Sequence, residues 1–253
     1  MADAPPLAYH DPKFIDSDEG RPIRIVSEYL APLRAFSTCG VTATVVFFGS
    51  ARIRADGALG RYVDEAVALA RLVTEWSATL PGERLVVCSG GGPGIMEAAN
   101  KGATLAGGRS VGLNIGLPRE QRPNPYITPE LSFEFHYFFM RKLWFAHLAR
   151  ALVVFPGGFG TFDELFEILT LAQTRKIDRS IPVFLYGSAY WKEVINFEAL
   201  VRHGTIGAED LKLFEFVDEP RAALQLLKSR VVLSSVQPPK PAFAKSRCRV
   251  ARP

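Results

Sequence analysis

The chain has 253 residues, of which 48% are hydrophobic and 22% charged, an ordinary globular composition with length for one large domain or two small ones. Its longest apolar run, 41–48, is broken by Thr42 and Thr44 and falls well short of the ~20 residues of a membrane helix, so no bilayer-spanning segment is expected. The net charge of +4 invites a nucleic-acid reading, but Lys240, Lys245, Arg247, Arg249 and Arg252 all lie in an acid-free carboxy-terminal stretch, and without those five charges the rest of the chain stands at −1. The basic stretch follows Pro238, Pro239 and Pro241 and reads as a solubilising disordered tail, with no specific nucleic-acid partner.

The amino terminus mixes Asp3, His10 and Asp11 with prolines and lacks the basic start and apolar core of a secretory signal. Cys39, Cys88 and Cys248 form no C-x-x-C pair, which indicates neither a disulfide framework nor a zinc site and fits a reducing cytoplasm. No His or Cys cluster suggests a metal. An amphipathic stretch over 23–36 is expected to pack on a sheet or a partner subunit. From Val41 onward, short apolar runs alternate with helical periodicity, the pattern of parallel β-α-β units.

Strands are expected at 42–48, 84–88, 110–114, 132–135, 151–155, 181–186 and 214–217. Between the first two, Val63, Ala66, Val67, Ala70, Val73 and Leu80 recur at helical spacing opposite Arg61, Asp64, Glu65, Arg71 and Glu75, which marks a helix covering one face of the sheet. Further helices are expected at 94–105, 138–149, 161–173, 190–201 and 220–227, the 138–149 helix being aromatic and buried. The fold class is α/β: a Rossmann-like, doubly wound, mainly parallel sheet with helices on both faces. Residues 1–40 form an amino-terminal extension, 41–235 the domain and 236–253 the tail.

In such a sheet the loops leaving the carboxyl ends of the strands share one edge, and ligands bind there. Three stand out: Phe48-Gly49-Ser50-Ala51, Ser89-Gly90-Gly91-Gly92-Pro93-Gly94 and Pro156-Gly157-Gly158-Phe159-Gly160-Thr161. The latter two join a strand to a helix, so backbone N–H groups and a helix amino end can converge on a phosphate. Their spacings match neither the G-x-x-x-x-G-K-[ST] loop nor a clean G-x-G-x-x-G fingerprint, which argues against ATP hydrolysis and hydride transfer.

Thr161 and Glu164 have the spacing of a capping box, which accounts for both residues locally. The functional alternative puts the Glu164 carboxylate in the first helical turn, beside a bound phosphate ester, where the helix amino end favours its ionised form. Arg141 and Lys142 interrupt an apolar, aromatic helix, and either reach solvent at the rim or pair with a carboxylate or phosphate. Ser50 stands where it can meet a ligand. Glu97, Asn100, Asn114 and His136 could also touch substrate, but a helix-face or turn role is the safer reading for the first three and a satisfied structural group for the lone His.

These residues resemble the LOG family of nucleotide phosphoribohydrolases. The run from Pro156 to Glu164 is similar to that family's P-G-G-x-G-T-x-x-E signature, Arg141-Lys142 to its upstream Arg-Lys, and Gly90-Gly91-Gly92-Pro93-Gly94-Ile95-Met96 and Phe48-Gly49-Ser50 to its two other glycine segments, each one residue shorter. The resemblance covers about 41–186. It implies a dimeric Rossmann-like enzyme that hydrolyses the N-glycosidic bond of a nucleoside 5′-monophosphate, AMP or a cytokinin ribotide, with no cofactor. By the same resemblance Glu164 and Arg141 are the catalytic pair, and Gly157, Gly158, Gly160, Thr161, Ser50, Gly91, Gly92 and Lys142 bind substrate. Phe139 stands where plant members carry His, and Asp163-Glu164 where they carry Glu-Glu, which leaves the preferred base open. Relatives often bear the label lysine decarboxylase, but phosphate loops alone do not supply the Schiff-base lysine of a pyridoxal-phosphate enzyme. The alternative function is a non-catalytic carrier or sensor of a phosphorylated cofactor or nucleotide.

Overall fold

The computed structural model describes residues 5–116, 122–176 and 181–233; the tail expected at 236–253 lies outside the described residues. A short helix α1 (Pro12–Ile15) leads into α2 (Arg21–Cys39), after which come β1 (Ala43–Phe48), α3 (Arg61–Thr79), β2 (Leu85–Ser89), α4 (Ile95–Leu105), β3 (Ser110–Ile115) and β4 (Ser132–Phe135). The second half runs α5 (Phe138–Leu148), β5 (Ala149–Val154), α6 (Phe159–Gln173), β6 (Val183–Tyr186), α7 (Ser188–Val194), α8 (Phe197–Arg202), β7 (Phe214–Val217) and α9 (Pro220–Arg230). The seven strands are all parallel, in the order β4-β3-β2-β1-β5-β6-β7. The expected Rossmann-like α/β sheet is therefore present.

Strand alternation sorts the core into two layers. Along β1, Val46 and Phe48 face a layer that contains Trp144, Phe145, Leu165 and Trp191, while Ala43, Val45 and Phe47 face Leu69, Val73, Ile95 and Ala99. Helices α2, α5, α6 and α7 thus cover one face, and α3, α4 and α9 the other. Each strand of the centre is buried on both sides, which is why it reads as a continuous apolar run. Among the described residues no helix is long and apolar enough to cross a membrane.

Three expectations are corrected. The segment expected as one helix over 190–201 is two, because Asn196 breaks it and caps α8, accepting the Ala199 N–H at 2.8 Å. The aromatic helix α5 is only half buried: Met140, Trp144 and Phe145 enter the core, whereas Phe138 and Phe139 are each 50% exposed and Leu143 is 40% exposed. One side of α5 lies against the sheet and α2, and its other side carries the remaining apolar residues outward. Among the described residues Cys88 is free and buried, and Cys39 is disulfide-bonded, where the spacing indicated no disulfide framework.

Helix α2 does pack on the domain as expected, and it sets the start of α5. Tyr29 stacks on Trp144 with ring centroids 5.5 Å apart, and Phe36 meets both Trp144 and Phe133. The Glu28 carboxylate accepts the N–H groups of His136 at 2.7 Å and Tyr137 at 3.3 Å. Those are amides at the amino end of α5, which has no cap from its own side chains; Glu28 supplies the missing acceptor.

Candidate active site

The strand order reverses between β1 and β5, and a crevice opens there at the carboxyl edge of the sheet, the position the fold reserves for ligands. It is a cavity of about 610 Å³. Its floor is made by the loops after β1 and β5, which are tied together: the Ser50 N–H donates to the Pro156 carbonyl at 3.0 Å, and the Phe155 N–H to the Phe48 carbonyl at 2.8 Å. Ser50, Gly157, Gly158, Gly160, Thr161, Arg141 and Glu164 all line it. Residues from separate stretches of sequence thus converge as expected.

The β5 loop runs straight into α6. Gly158 caps that helix and has no side chain to bond the first-turn amides, so those donors are left for an anion. A Cβ placed on Gly158 or Gly160 would meet nothing within 4 Å. Neither glycine is required by its protein neighbours, and both leave the backbone bare beside the cavity. Tyr190, from α7, fixes the loop from behind by donating its hydroxyl to the Gly157 carbonyl at 2.7 Å. No sequence signal pointed to Tyr190, because it comes from a part of the chain that the motifs do not reach.

The capping box expected at Thr161 and Glu164 does not form. Helix α6 begins at Phe159, so Glu164 is in the second turn, and its carboxylate instead accepts from Arg141 Nη2 at 3.2 Å. Both partners are largely buried, with side chains 15% and 6% exposed. Arg141 therefore takes the carboxylate alternative rather than the rim. Burial shifts Glu164 upward to about 7 and outweighs the opposing pull of Arg141 and Lys142. This corrects the expectation of a firmly ionised carboxylate, because the loss of water costs more than the neighbouring Arg141 and Lys142 return. Burial also lowers Arg141, with Glu164 acting against it. The Nε of Arg141 is buried with no hydrogen-bond partner.

Lys142, Gly91 and Gly92 do not line the cavity. Lys142 Nζ is held by Asp163 at 2.8 Å and Glu167 at 2.9 Å on the outer side of α6, and although burial opposes its charge these bonds give a net upward shift. Gly91 sits at φ +73°, where a Cβ would run into Asn114, and the carbonyls of Gly91 and Gly92 accept from Asn124 Nδ2 at 3.0 and 3.1 Å. That loop is organised by a buried network in which Ser89 and Asn124 both donate to Asn100 Oδ1, so Asn100 is structural. Gly90, Met96 and Asn114 reach the cavity; Glu97 and His136 do not. Phe138, Phe145 and Ile115 give it an apolar wall.

Known proteins resemble this chain at modest identity. A nucleosidase of Escherichia coli (strain K12), named pyrimidine/purine nucleotide 5′-monophosphate nucleosidase, is 29% identical over 164 residues, 57% of this chain and 34% of that protein. The chain thus spans about a third of the length of that relative. A rice protein (Oryza sativa subsp. japonica) named as a probable cytokinin riboside 5′-monophosphate phosphoribohydrolase is 29% identical over 224 residues, 79% of this chain and 85% of the relative. Among solved structures, one from a structural genomics consortium matches with a TM-score of 0.54 at 21% identity, covering 74% of this chain and 99% of the other. The molybdenum cofactor binding protein of Rippkaea orientalis matches with a TM-score of 0.50 at 18% identity, covering 75% and 96%; both likenesses speak to the fold. The family model described as possible lysine decarboxylase matches residues 96–227, just over half of the sequence and the stretch that holds Arg141, the β5 loop and Glu164, and this chain belongs to that family, the LOG family.

Proposed function

We propose that this chain hydrolyses the N-glycosidic bond of a nucleoside 5′-monophosphate, AMP or a cytokinin ribotide, to the free base and ribose 5-phosphate. The observation that carries the reading is the buried Arg141–Glu164 pair in one cavity with the bare first turn of α6. The 5′-phosphate binds the amides of that turn with Thr161, which anchors the ribose against Glu164. Cleavage of the C1′–N bond leaves its electron pair on the base and positive charge on the ribose. The ionised Glu164 carboxylate stabilises that charge. Water adds at C1′, its oxygen bonding the carbon, and its proton leaves through Glu164 to the departing base. Arg141 keeps the carboxylate in place, and the apolar wall of Phe138, Phe145 and Ile115 receives the base.

The decarboxylase wording of the family description does not fit this cavity. A pyridoxal-phosphate enzyme needs a lysine for its Schiff base, and among the described residues no lysine lines the site, with Lys142 held elsewhere by two carboxylates. The names of the relatives from E. coli and rice support the nucleotide reading instead.

The active form is a homodimer. Ile23, Val26, Leu30 and Leu33 form an exposed apolar stripe along α2, at the spacing of one helix face, and Phe138 and Phe139 add to the uncovered apolar surface; a monomer by light scattering at micromolar concentration would count against it. The activity is tested with a panel of nucleoside 5′-monophosphates, read by chromatography for free base, with Glu164→Gln and Arg141→Ala as controls. Base released by the wild type and lost in both variants supports the hydrolase. Binding of nucleotide without release from any member of the panel refutes it and leaves a carrier or sensor.

A further inference from the structure

A phosphate monoester carries close to two negative charges at neutral pH, and the α6 end of the cavity does not balance them. The first turn of α6 contributes about half a positive charge. The nearby cations are committed: Arg141 to Glu164 at 3.2 Å, and Lys142 to Asp163 and Glu167 at 2.8 and 2.9 Å on the outer side of the helix. A monoester held by amides and Thr161 alone would lack a counter-charge at a partly desolvated site.

The loop after β1 holds the missing cation. Arg52 is exposed, lines the main cavity, and also lines an adjoining cavity of about 370 Å³ that shares Ser50, Gly157, Gly158 and Tyr190 with it. Among the described residues Arg52 forms no ion pair, whereas Arg54, its neighbour in the adjoining cavity, is paired with Asp56 at 3.1 Å. The backbone below Arg52 is held: its N–H donates to Ser50 Oγ at 3.0 Å, and Ser50 is itself tied to Pro156. The guanidinium is thus an uncommitted, forked donor on a fixed base, at the side of the phosphate loop that α6 does not cover.

We propose that Arg52 reads the phosphate of the substrate, closing on its oxygens from the β1 side while the first turn of α6 holds them from the other, and so selects phosphorylated ligands over their unphosphorylated counterparts. The assignment rests on the phosphate site of the proposed hydrolase. Unlike Arg141 and Glu164, Arg52 also lines the adjoining cavity, so its contribution is to binding, and it appears in KM.

The test is isothermal titration of the full chain with ribose 5-phosphate, inorganic phosphate and ribose, on the wild type and on Arg52→Ala, Arg52→Lys and Thr161→Val. The wild type should bind ribose 5-phosphate well above ribose. Arg52→Ala should weaken ribose 5-phosphate about tenfold to a hundredfold, as expected for one charged hydrogen-bonding group, leave ribose unchanged and be less sensitive to salt. Arg52→Lys should recover part of the loss, and with nucleotide the defect of Arg52→Ala should fall on KM rather than kcat. If Arg52→Ala binds ribose 5-phosphate like the wild type while Thr161→Val does not, the phosphate site stands and the role of Arg52 is overturned. If the wild type binds neither ribose 5-phosphate nor phosphate, the site itself is wrong and the role of Arg52 falls with it.

Discussion

Replacing Glu164 by Gln should change how the stability of the protein depends on pH. The carboxyl titrates at about 7 in the folded chain against 4.5 for the free side chain. Because the folded value is the higher one, the folded state holds the extra proton between these limits. Its stabilising contribution is complete below pH 4.5 and is lost as pH rises through 7. At about 1.4 kcal/mol per unit, the full difference is on the order of 3 kcal/mol, most of it falling between pH 5 and pH 8. Glutamine cannot ionise, so this dependence disappears in the variant. The substitution also leaves Arg141 without its counter-ion, a cost of its own, but that cost is nearly constant over the range and cancels when the two pH profiles are subtracted. Urea unfolding of both proteins at half-unit steps from pH 5 to 8 gives the difference directly. The wild type should lose on the order of 2–3 kcal/mol relative to Glu164→Gln across the range, several degrees in Tm for a chain of this size. Profiles that stay parallel to within ~0.5 kcal/mol would show an ordinary carboxylate and refute the argument from burial. With substrate, kcat/KM of the wild type should rise through the same pH region, since the proposed chemistry uses the ionised form; a fall there would make Glu164 a proton donor instead.

Tyr190→Phe removes the hydroxyl that bonds the Gly157 carbonyl at 2.7 Å. It should cost about 1 kcal/mol in unfolding experiments and raise KM for nucleotide by loosening the β5 loop; an unchanged KM would mean that the Ser50–Pro156 bond holds the loop alone. Alanine at Gly160 and at Gly91 should act in opposite directions. Gly160 lies in the first turn of α6 with open space at its Cβ position, so Gly160→Ala should gain up to ~1 kcal/mol in stability from helix propensity while weakening ribose 5-phosphate. Gly91→Ala forces a side chain into φ +73° and against Asn114 and should lose roughly 1–3 kcal/mol, measured by the same urea titration. Equal stability changes in the two would contradict the assignment of one glycine to the ligand and the other to the fold.

The sheet is legible in the sequence because each central strand is buried on both faces, and short apolar runs between helical stretches are what buried parallel strands require. Strand limits agree within about two residues, and so does the start of α4. The break in the 190–201 segment is not legible, because Asn196 acts by capping, and a single polar residue inside a periodic stretch gives no warning that the chain stops and restarts. The exposure of Phe138 and Phe139 is also hidden. Aromatic content signals burial only on average, and the direction in which each ring points depends on Glu28 and α2, which set the start of α5 from more than a hundred residues away.

The site shows the same division more sharply. The glycines of the β5 loop are visible as a turn between a strand and a helix, and their role follows from that position. For the other glycine loop, the same reasoning fails at Gly91 and Gly92, since the Asn124 side-chain amide holds both their carbonyls and the Gly91 N–H donates to Ser89 Oγ. Glu164 can be named from sequence but not characterised. Its spacing from Thr161 suggests a cap, and its place near a helix amino end suggests an ionised acid. Both inferences treat the residue through its own helix. What determines its chemistry is the burial of its carboxyl, which removes water, beside Arg141 of α5 at 3.2 Å. The charges of Arg141 and Lys142 together do not offset that desolvation, and the balance is a property of the packed site. A carboxyl poised near neutrality beside a fixed guanidinium can take a proton from water and pass it on within one turnover, which neither a fully ionised nor a fully protonated acid can do as readily.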